Sequence, residues 1–309
     1  MTKTAIIDMG TNTFHLLVAA WNSSHYTILW QEQLPTRLGA GSSNDNKISS
    51  EAVDRALEAL TYFKNKAEEL GAGKILAIGT SALRQAHNAK SVVEQIEKTT
   101  SIRAQVISGM QEASLIYEGV NLALQLGTEK ALMVDIGGGS VEFIIGNGQE
   151  IFWKESFEIG GLRLVEQFQL HDPILATEIE SLSHYFEKQL QPLFAQIEIH
   201  RPALLAGSAG SFDTLSDIYC AQQGLDLPRT PEKPFDIASL PPIYTELISK
   251  NRRERLNIPG MIELRVDMMV PACCLIKFIV EKFQLKKIRV SSFSLKEGVL
   301  ASLMKGKIS

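Results

Sequence analysis

The sequence predicts an α/β protein of two related domains, each a mixed β-sheet flanked by helices. The first observation is an internal repeat. Ala5-Ile6-Ile7-Asp8-Met9-Gly10-Thr11-Asn12-Thr13 aligns without a gap on Leu132-Met133-Val134-Asp135-Ile136-Gly137-Gly138-Gly139-Ser140, with Asp8 and Asp135 127 residues apart. In both copies an apolar strand ends in Asp, a tip of small and hydroxyl residues follows, and a second apolar run begins, so each copy reads as a β-hairpin. The second observation is the alternation of strand and helix patterns after each hairpin. The third is length: 309 residues fit two domains at roughly 150 residues each.

The elements follow in order. Residues 15–20 form the return strand of the first hairpin and 26–33 a third strand. Ser50 offers an N-cap to a helix whose apolar Val53, Ala56, Leu57, Leu60, Phe63, Ala67 and Leu70 recur at helical spacing, and Gly71 and Gly73 end it. Strand 74–78, a helix through 92–96, strand 104–107 and a helix over 111–126 follow. The second half repeats the theme with strands 131–135, 141–146 and 151–158, and helices through 162–168 and 179–190. Strand 203–206, helices 211–220 and 267–283 and strand 287–290 complete it. Pro228, Pro231, Pro234, Pro241 and Pro242 fall in one window and mark a surface loop between helices. The last helix, 295–304, is expected to pack back on the first domain. The domains are therefore 1–127, completed by 295–309, and 128–294.

Composition narrows the function. With 45% apolar and 21% charged residues the chain is neither disordered nor fibrous. Its formal charge of −4 provides no global positive field, so neither nucleic acid nor an acidic membrane is an expected partner, and any polyanion must be gripped locally. Cys220, Cys273 and Cys274 are too few and too badly spaced for a disulfide framework or a zinc site. They read as buried thiols of a cytoplasmic, reducing environment. The N-terminal apolar run stops at Asp8, so no signal-peptide core is expected. The apolar stretch 266–280 contains Asp267, Pro271 and Lys277 and reads as a buried helix rather than a membrane span.

The hairpins carry the chemistry. An Asp at a strand end beside Gly10-Thr11-Asn12-Thr13 or Gly137-Gly138-Gly139-Ser140 sets a carboxylate next to backbone N–H groups and hydroxyls. Successive N–H groups form an anion-binding nest, glycine clears room for phosphate, and the carboxylate suits hydrated magnesium. The plain alternative is an ordinary Gly-rich turn, which a matched pair disfavours. Glu112 opens a helix after a strand, either as a functional carboxylate favoured by the helix N-terminus or as a first-turn acidic residue. Glu142 projects with Ser140 on one strand face, toward a cleft or toward solvent. Arg84 follows a strand and a Thr-Ser turn, as a fork for phosphate oxygens or as a surface salt bridge. His15 stands opposite Glu142 in the repeat and reads as support. Gly207-Ser208-Ala209-Gly210-Ser211 joins a strand to a helix and offers another anion-binding N-terminus. Lys250, Arg252, Arg253 and Arg255, with Arg265, form either a track for a long polyanion or solvated helix-end charge.

Both hairpins, together with Arg37-Leu38-Gly39, Thr80-Ser81-Ala82-Leu83-Arg84 with Asn88, Ser108-Gly109-Met110-Gln111-Glu112-Ala113 and Ile159-Gly160-Gly161-Leu162-Arg163-Leu164, resemble the exopolyphosphatase and guanosine pentaphosphate phosphatase family. The resemblance runs almost end to end. It implies actin-like (ribonuclease H-like) domains with the active-site cleft between them, in the short, two-domain form of the family, and a homodimer. It also implies Mg2+-dependent hydrolysis of the terminal phosphoanhydride of inorganic polyphosphate, with Glu112 as general base and Asp8, Asp135 and Glu142 positioning magnesium or the attacking water. Guanosine pentaphosphate is the alternative substrate. An ATP-dependent kinase of the same fold and a non-catalytic sensor are the competing classes. Four positions depart from the family: Ala209 and Ser211 replace its more usual Gly and Thr, and Ser294 and Lys296 stand in Ser294-Leu295-Lys296-Glu297-Gly298 where Gly and Arg are usual.

Overall fold

The computed structural model describes residues 1–39, 46–227 and 230–308. The chain divides into two compact units, Met1–Gly119 with Leu295–Ser309, and Val120–Ser294.

In the first unit β1 (Thr2–Met9), β2 (Thr13–Trp21) and β3 (Tyr26–Pro35) form an antiparallel meander. After helix α1 (Ser50–Glu69), β4 (Lys74–Gly79) pairs parallel to β1. Helices α2 (Ser81–Gln85) and α3 (Ala89–Thr100) lead to β5 (Ala104–Val106), and α4 (Gly109–Leu124) follows. The sheet order is β3-β2-β1-β4-β5. Both faces of β1 are apolar because both are covered. Ala5, Ile7 and Met9 join the core cluster with Leu60 and Phe63 of α1, while Ile6 and its register partner Leu17, also buried, lie on the face covered by helix Leu295–Met304. Burial of Leu60 and Phe63 is worth roughly 1.5–3 kcal/mol each. The N-cap of α1 is Ser49 rather than Ser50: its hydroxyl accepts from Ala52 N at 3.2 Å, and Ser50 is the first helical residue.

The second unit repeats this plan. Strands β6 (Ala131–Ile136), β7 (Val141–Gly146) and β8 (Ile151–Phe157) form the meander. Helices α5 (Gly161–Phe168), α6 (Ala176–Gln189) and α7 (Gln191–His200) precede β9 (Leu204–Ser208), which runs parallel to β6. Then come α8 (Ala209–Gln223), β10 (Glu232–Lys233), α9 (Leu240–Ser249), α10 (Arg252–Arg255), α11 (Met269–Lys282) and β11 (Ile288–Ser291). The order β10-β11-β9-β6-β7-β8 reproduces the first sheet with one added edge strand, so the repeat in sequence is a repeat in topology.

Two expectations are corrected here. Pro228 lies outside the described residues, and Pro231 and Pro234 flank the short edge strand β10 in irregular backbone as expected, but Pro241 and Pro242 occupy the first turn of α9, where a missing N–H costs nothing. Residues 191–200, assigned to no element from the sequence, form α7, with Pro192 likewise in its first turn. The stretch 266–280 contributes the buried helix α11, and among the described residues no helix is long and apolar enough to cross a membrane. All three cysteines are free and buried; burial pushes the Cys274 thiol up to about 11.

Candidate active site

Each hairpin tip is held by the segment after the third strand of its meander. In the first unit Thr36 N and Arg37 N both donate to Asn12 O, and Gly39 N donates to Thr11 O at 2.9 Å. In the second, Gly160 N donates to Gly139 O, Gly161 N to Gly137 O, and Leu162 N and Arg163 N to Gly138 O; Arg163 Nε adds a bond to Gly139 O at 3.1 Å. The motifs Arg37-Leu38-Gly39 and Gly160-Gly161-Leu162-Arg163 are therefore braces that take up the tip carbonyls. The Gly138 and Gly139 N–H groups have no partner among the described residues, as an anion-binding nest requires. Gly160 has to be glycine for this contact: a Cβ there would lie 2.5 Å from backbone atoms of Gly138 and Gly139. Gly10, Thr11 and Asn12 are partly exposed at the first tip. Thr13 is buried, and its hydroxyl has no partner among the described residues.

Cross-strand register builds a polar row in the second unit. Ser156 on β8 faces Glu142 on β7, Glu142 faces Asp135 on β6, and Asp135 faces Ser208 on β9. Ser156 Oγ donates to Glu142 Oε1 at 2.7 Å, and Ser208 Oγ to Asp135 Oδ2 at 2.6 Å. Ser294 Oγ, from the turn after β11, donates to the same Oδ2. Glu142 is 1% exposed, which excludes the solvent-facing reading of that carboxylate. The corresponding row of the first unit is Gln33, His15, Asp8 and Ile78, so Asp8 lacks the serine-flanked second carboxylate that Asp135 has.

Glu112 and Arg84 form the other charged element. Ser108 and Gln111 close a capping box at the start of α4: Ser108 N donates to Gln111 Oε1 at 2.9 Å, and Gln111 N to Ser108 Oγ at 3.2 Å. The Ser-Gly-Met-Gln motif thus fixes the turn that carries Glu112. Arg84 Nη1 lies 2.7 Å from Glu112 Oε2, with 16% and 10% of the two side chains exposed, so the arginine reads neither as a free fork nor as a surface salt bridge. The guanidinium and the positive end of α4 both act on the same carboxylate.

Other expected site residues have different roles. Gly207 lies inside the β9 ladder, and its missing side chain makes room for the Phe212 ring, which a Cβ would meet at 2.1 Å. Ser208 is fully buried with its hydroxyl on Asp135, so that hydroxyl holds a carboxylate rather than phosphate. The basic cluster divides: Arg253 is exposed, as the solvated-charge reading expects, and the others are tied to carboxylates or buried. Lys250 pairs with Glu246, Arg252 with Glu263 and Asp267, and buried Arg255 with Asp172 at 2.7 Å; Arg265 is 8% exposed and packs against Gly210. Asn88 exchanges two amide bonds with the Ile48 peptide, tying the start of α3 to the segment before α1. Sequence reasoning missed Ser156, and it noted Ser294 only as a departure. The signal for Ser156 was its place on the third strand of the meander, opposite Glu142.

Among the described residues no three His, Cys, Asp or Glu side chains cluster as metal ligands. An all-protein cage is not what magnesium needs, because it binds through one or two carboxylates and completes its shell with water and phosphate. The hard oxygen donors of Asp135 and Glu142 fit that requirement.

In the second unit a glycine tip with unpartnered amides and a buried carboxylate pair, and in the first an arginine-held glutamate, are each features of a phosphate-handling enzyme. The Ppx/GppA phosphatase family model matches residues 17–307, and the chain belongs to that family. An exopolyphosphatase from Cytophaga hutchinsonii, known from its crystal structure, is 40% identical over 99% of this chain and 98% of its own, with a TM-score of 0.95. The Aquifex aeolicus member of the Ppx/GppA family shares the fold at 23% identity, covering 100% of this chain and 99% of its own, with a TM-score of 0.82.

Proposed function

We propose that this phosphatase is an exopolyphosphatase that removes orthophosphate from the end of inorganic polyphosphate, with Mg2+ as its cation and Glu112 as general base. The observation that supports the catalytic assignment is the Arg84–Glu112 contact at 2.7 Å, a proton acceptor beside a guanidinium. The choice of polyphosphate is supported by the 40% identical exopolyphosphatase.

In this reading the hairpin amides, Gly138 and Gly139 N–H among them, bind phosphate oxygens, and Arg84 draws the terminal group toward Glu112. Water attacks the terminal phosphorus in line. The new P–O bond forms as the bridging P–O bond breaks, the proton of water passes to the Glu112 carboxylate, and the chain shortened by one phosphate leaves. Asp135 and Glu142, with Asp8 as the resemblance implies, would hold magnesium, which when bound neutralises charge on the phosphate chain. The three buried, unpaired thiols suit a reducing, cytoplasmic setting.

The test is phosphate release by purified protein with magnesium, comparing long-chain polyphosphate and guanosine pentaphosphate at equal terminal-phosphate concentration. Faster release from polyphosphate supports the assignment. Faster release from the nucleotide makes the protein an alarmone phosphatase, and release from neither overturns the hydrolase reading in favour of a kinase.

A further inference from the structure

We infer that Ser294 and Ser208 are positioning residues for Asp135, two hydroxyls that fix one carboxylate oxygen and so set the direction in which that carboxylate meets a cation. This deepens the magnesium-dependent reading above and rests on it. Ser208 faces Asp135 in register from β9, with both residues buried, and donates to Oδ2 at 2.6 Å. Ser294 reaches the same oxygen from a segment 159 residues away in sequence. An ionised carboxylate offers about two lone-pair sites per oxygen, so Oδ2 accepts from both hydroxyls at once. With Oδ2 held by both hydroxyls the orientation of the carboxylate is fixed, which suits the strict octahedral shell that magnesium demands.

The turn that delivers Ser294 is itself tied down. Ser291 Oγ donates to Phe293 O at 2.7 Å and accepts from Phe293 N, while Ser292 N and Oγ both donate to Pro231 O. Ser294 is therefore presented by a held backbone rather than by a free loop. At this position the family resemblance leads one to expect glycine, which has no hydroxyl to give. The second half of the clamp is thus a property of this chain's own sequence.

Hydrogen-bond partners of metal-ligating side chains typically contribute about 10–100-fold to metal affinity. Because Ser208 remains when Ser294 is changed, Ser294→Ala should fall near the lower end. The experiment titrates the full-length protein with Mn2+, without substrate, following free Mn2+ by electron paramagnetic resonance. It compares wild type, Ser294→Ala, Ser294→Thr, Ser294→Gly and Asp135→Asn, with thermal melting in metal-free buffer as the folding control. The clamp predicts about tenfold weaker binding in Ser294→Ala and Ser294→Gly with unchanged melting, and recovery in Ser294→Thr, which keeps the hydroxyl. Wild-type affinity in both hydroxyl-free variants would overturn it. So would absence of Mn2+ binding by wild type, or full binding by Asp135→Asn. Failure of the wild-type protein to release phosphate would overturn the substrate assignment instead, and the substrate-free titration decides the clamp on its own.

Discussion

Replacing Gly160 by alanine tests whether the second hairpin tip is held in place for catalysis. Gly160 has φ −63° and ψ 160°, which alanine adopts without strain, so the substitution isolates the close approach of the two segments. The added Cβ would sit 2.5 Å from Gly138 C, Gly138 O and Gly139 C. Ordinary carbon contacts are about 3.5 Å, so the segments must part by about 1 Å. All three neighbours are backbone and cannot rotate away. The Gly160 N–Gly139 O bond of 3.1 Å and the Leu162 N–Gly138 O bond of 3.0 Å would stretch with them, carrying the free Gly138 and Gly139 amides out of position. Overpacking of this kind costs about 1–3 kcal/mol of stability, and a 1 Å misplacement of binding groups costs about 100-fold in rate. The assay is kcat/KM for phosphate release beside a urea unfolding curve. A variant that stays within twofold of wild-type kcat/KM would show that the tip does not need this brace.

Other substitutions address single contacts. Ala209 opens α8 at φ 64°, a conformation that costs a side-chain-bearing residue roughly 1–2 kcal/mol, so Ala209→Gly should raise the urea unfolding free energy by about 0.5–1 kcal/mol after the entropy of glycine is subtracted. A Cβ on Gly298 would lie 1.7 Å from Leu115 O, so Gly298→Ala should destabilise the first unit by about 3 kcal/mol or prevent helix Leu295–Met304 from docking, read by circular dichroism and limited proteolysis. Burial pulls the Glu118 carboxyl up, but the hydrogen bonds and charges of Lys305 and Lys307 outweigh it and hold its pKa below the ordinary 4.5. A depressed carboxylate pKa stabilises the fold above the unfolded value and loses that contribution as pH falls through the folded one. Glu118→Gln should therefore be less stable at pH 7 and lose less stability than wild type on acidification to about pH 4.

The parts of this molecule legible in its sequence are those set by neighbours along the chain. The two hairpins show because Asp8 and Asp135 end matched apolar strands before glycine tips, and the long amphipathic helix shows because its apolar face repeats every three to four residues. Glu112 could be placed in the first turn of α4 from the strand and Ser108 before it. The serine-carboxylate row was hidden, because Ser156, Glu142, Asp135 and Ser208 meet only through the registers of four strands, and Ser294 joins them from a distant turn. Arg255 looked like surface charge because its partner Asp172 is 83 residues away. Pro241 and Pro242 resembled loop residues because a proline in a first helical turn carries the same local signal as one in a turn. The Arg84–Glu112 pair spans two helices, and each residue alone admitted a bland reading.

The central claim is that Glu112 takes the proton of the attacking water. Steady-state phosphate release from polyphosphate by Glu112→Gln, which keeps the shape of the side chain and removes its basicity, tests it most directly. The account predicts a fall in kcat of about 10²–10⁴-fold with KM for polyphosphate changed far less. Turnover at the wild-type rate in a folded Glu112→Gln protein would contradict it.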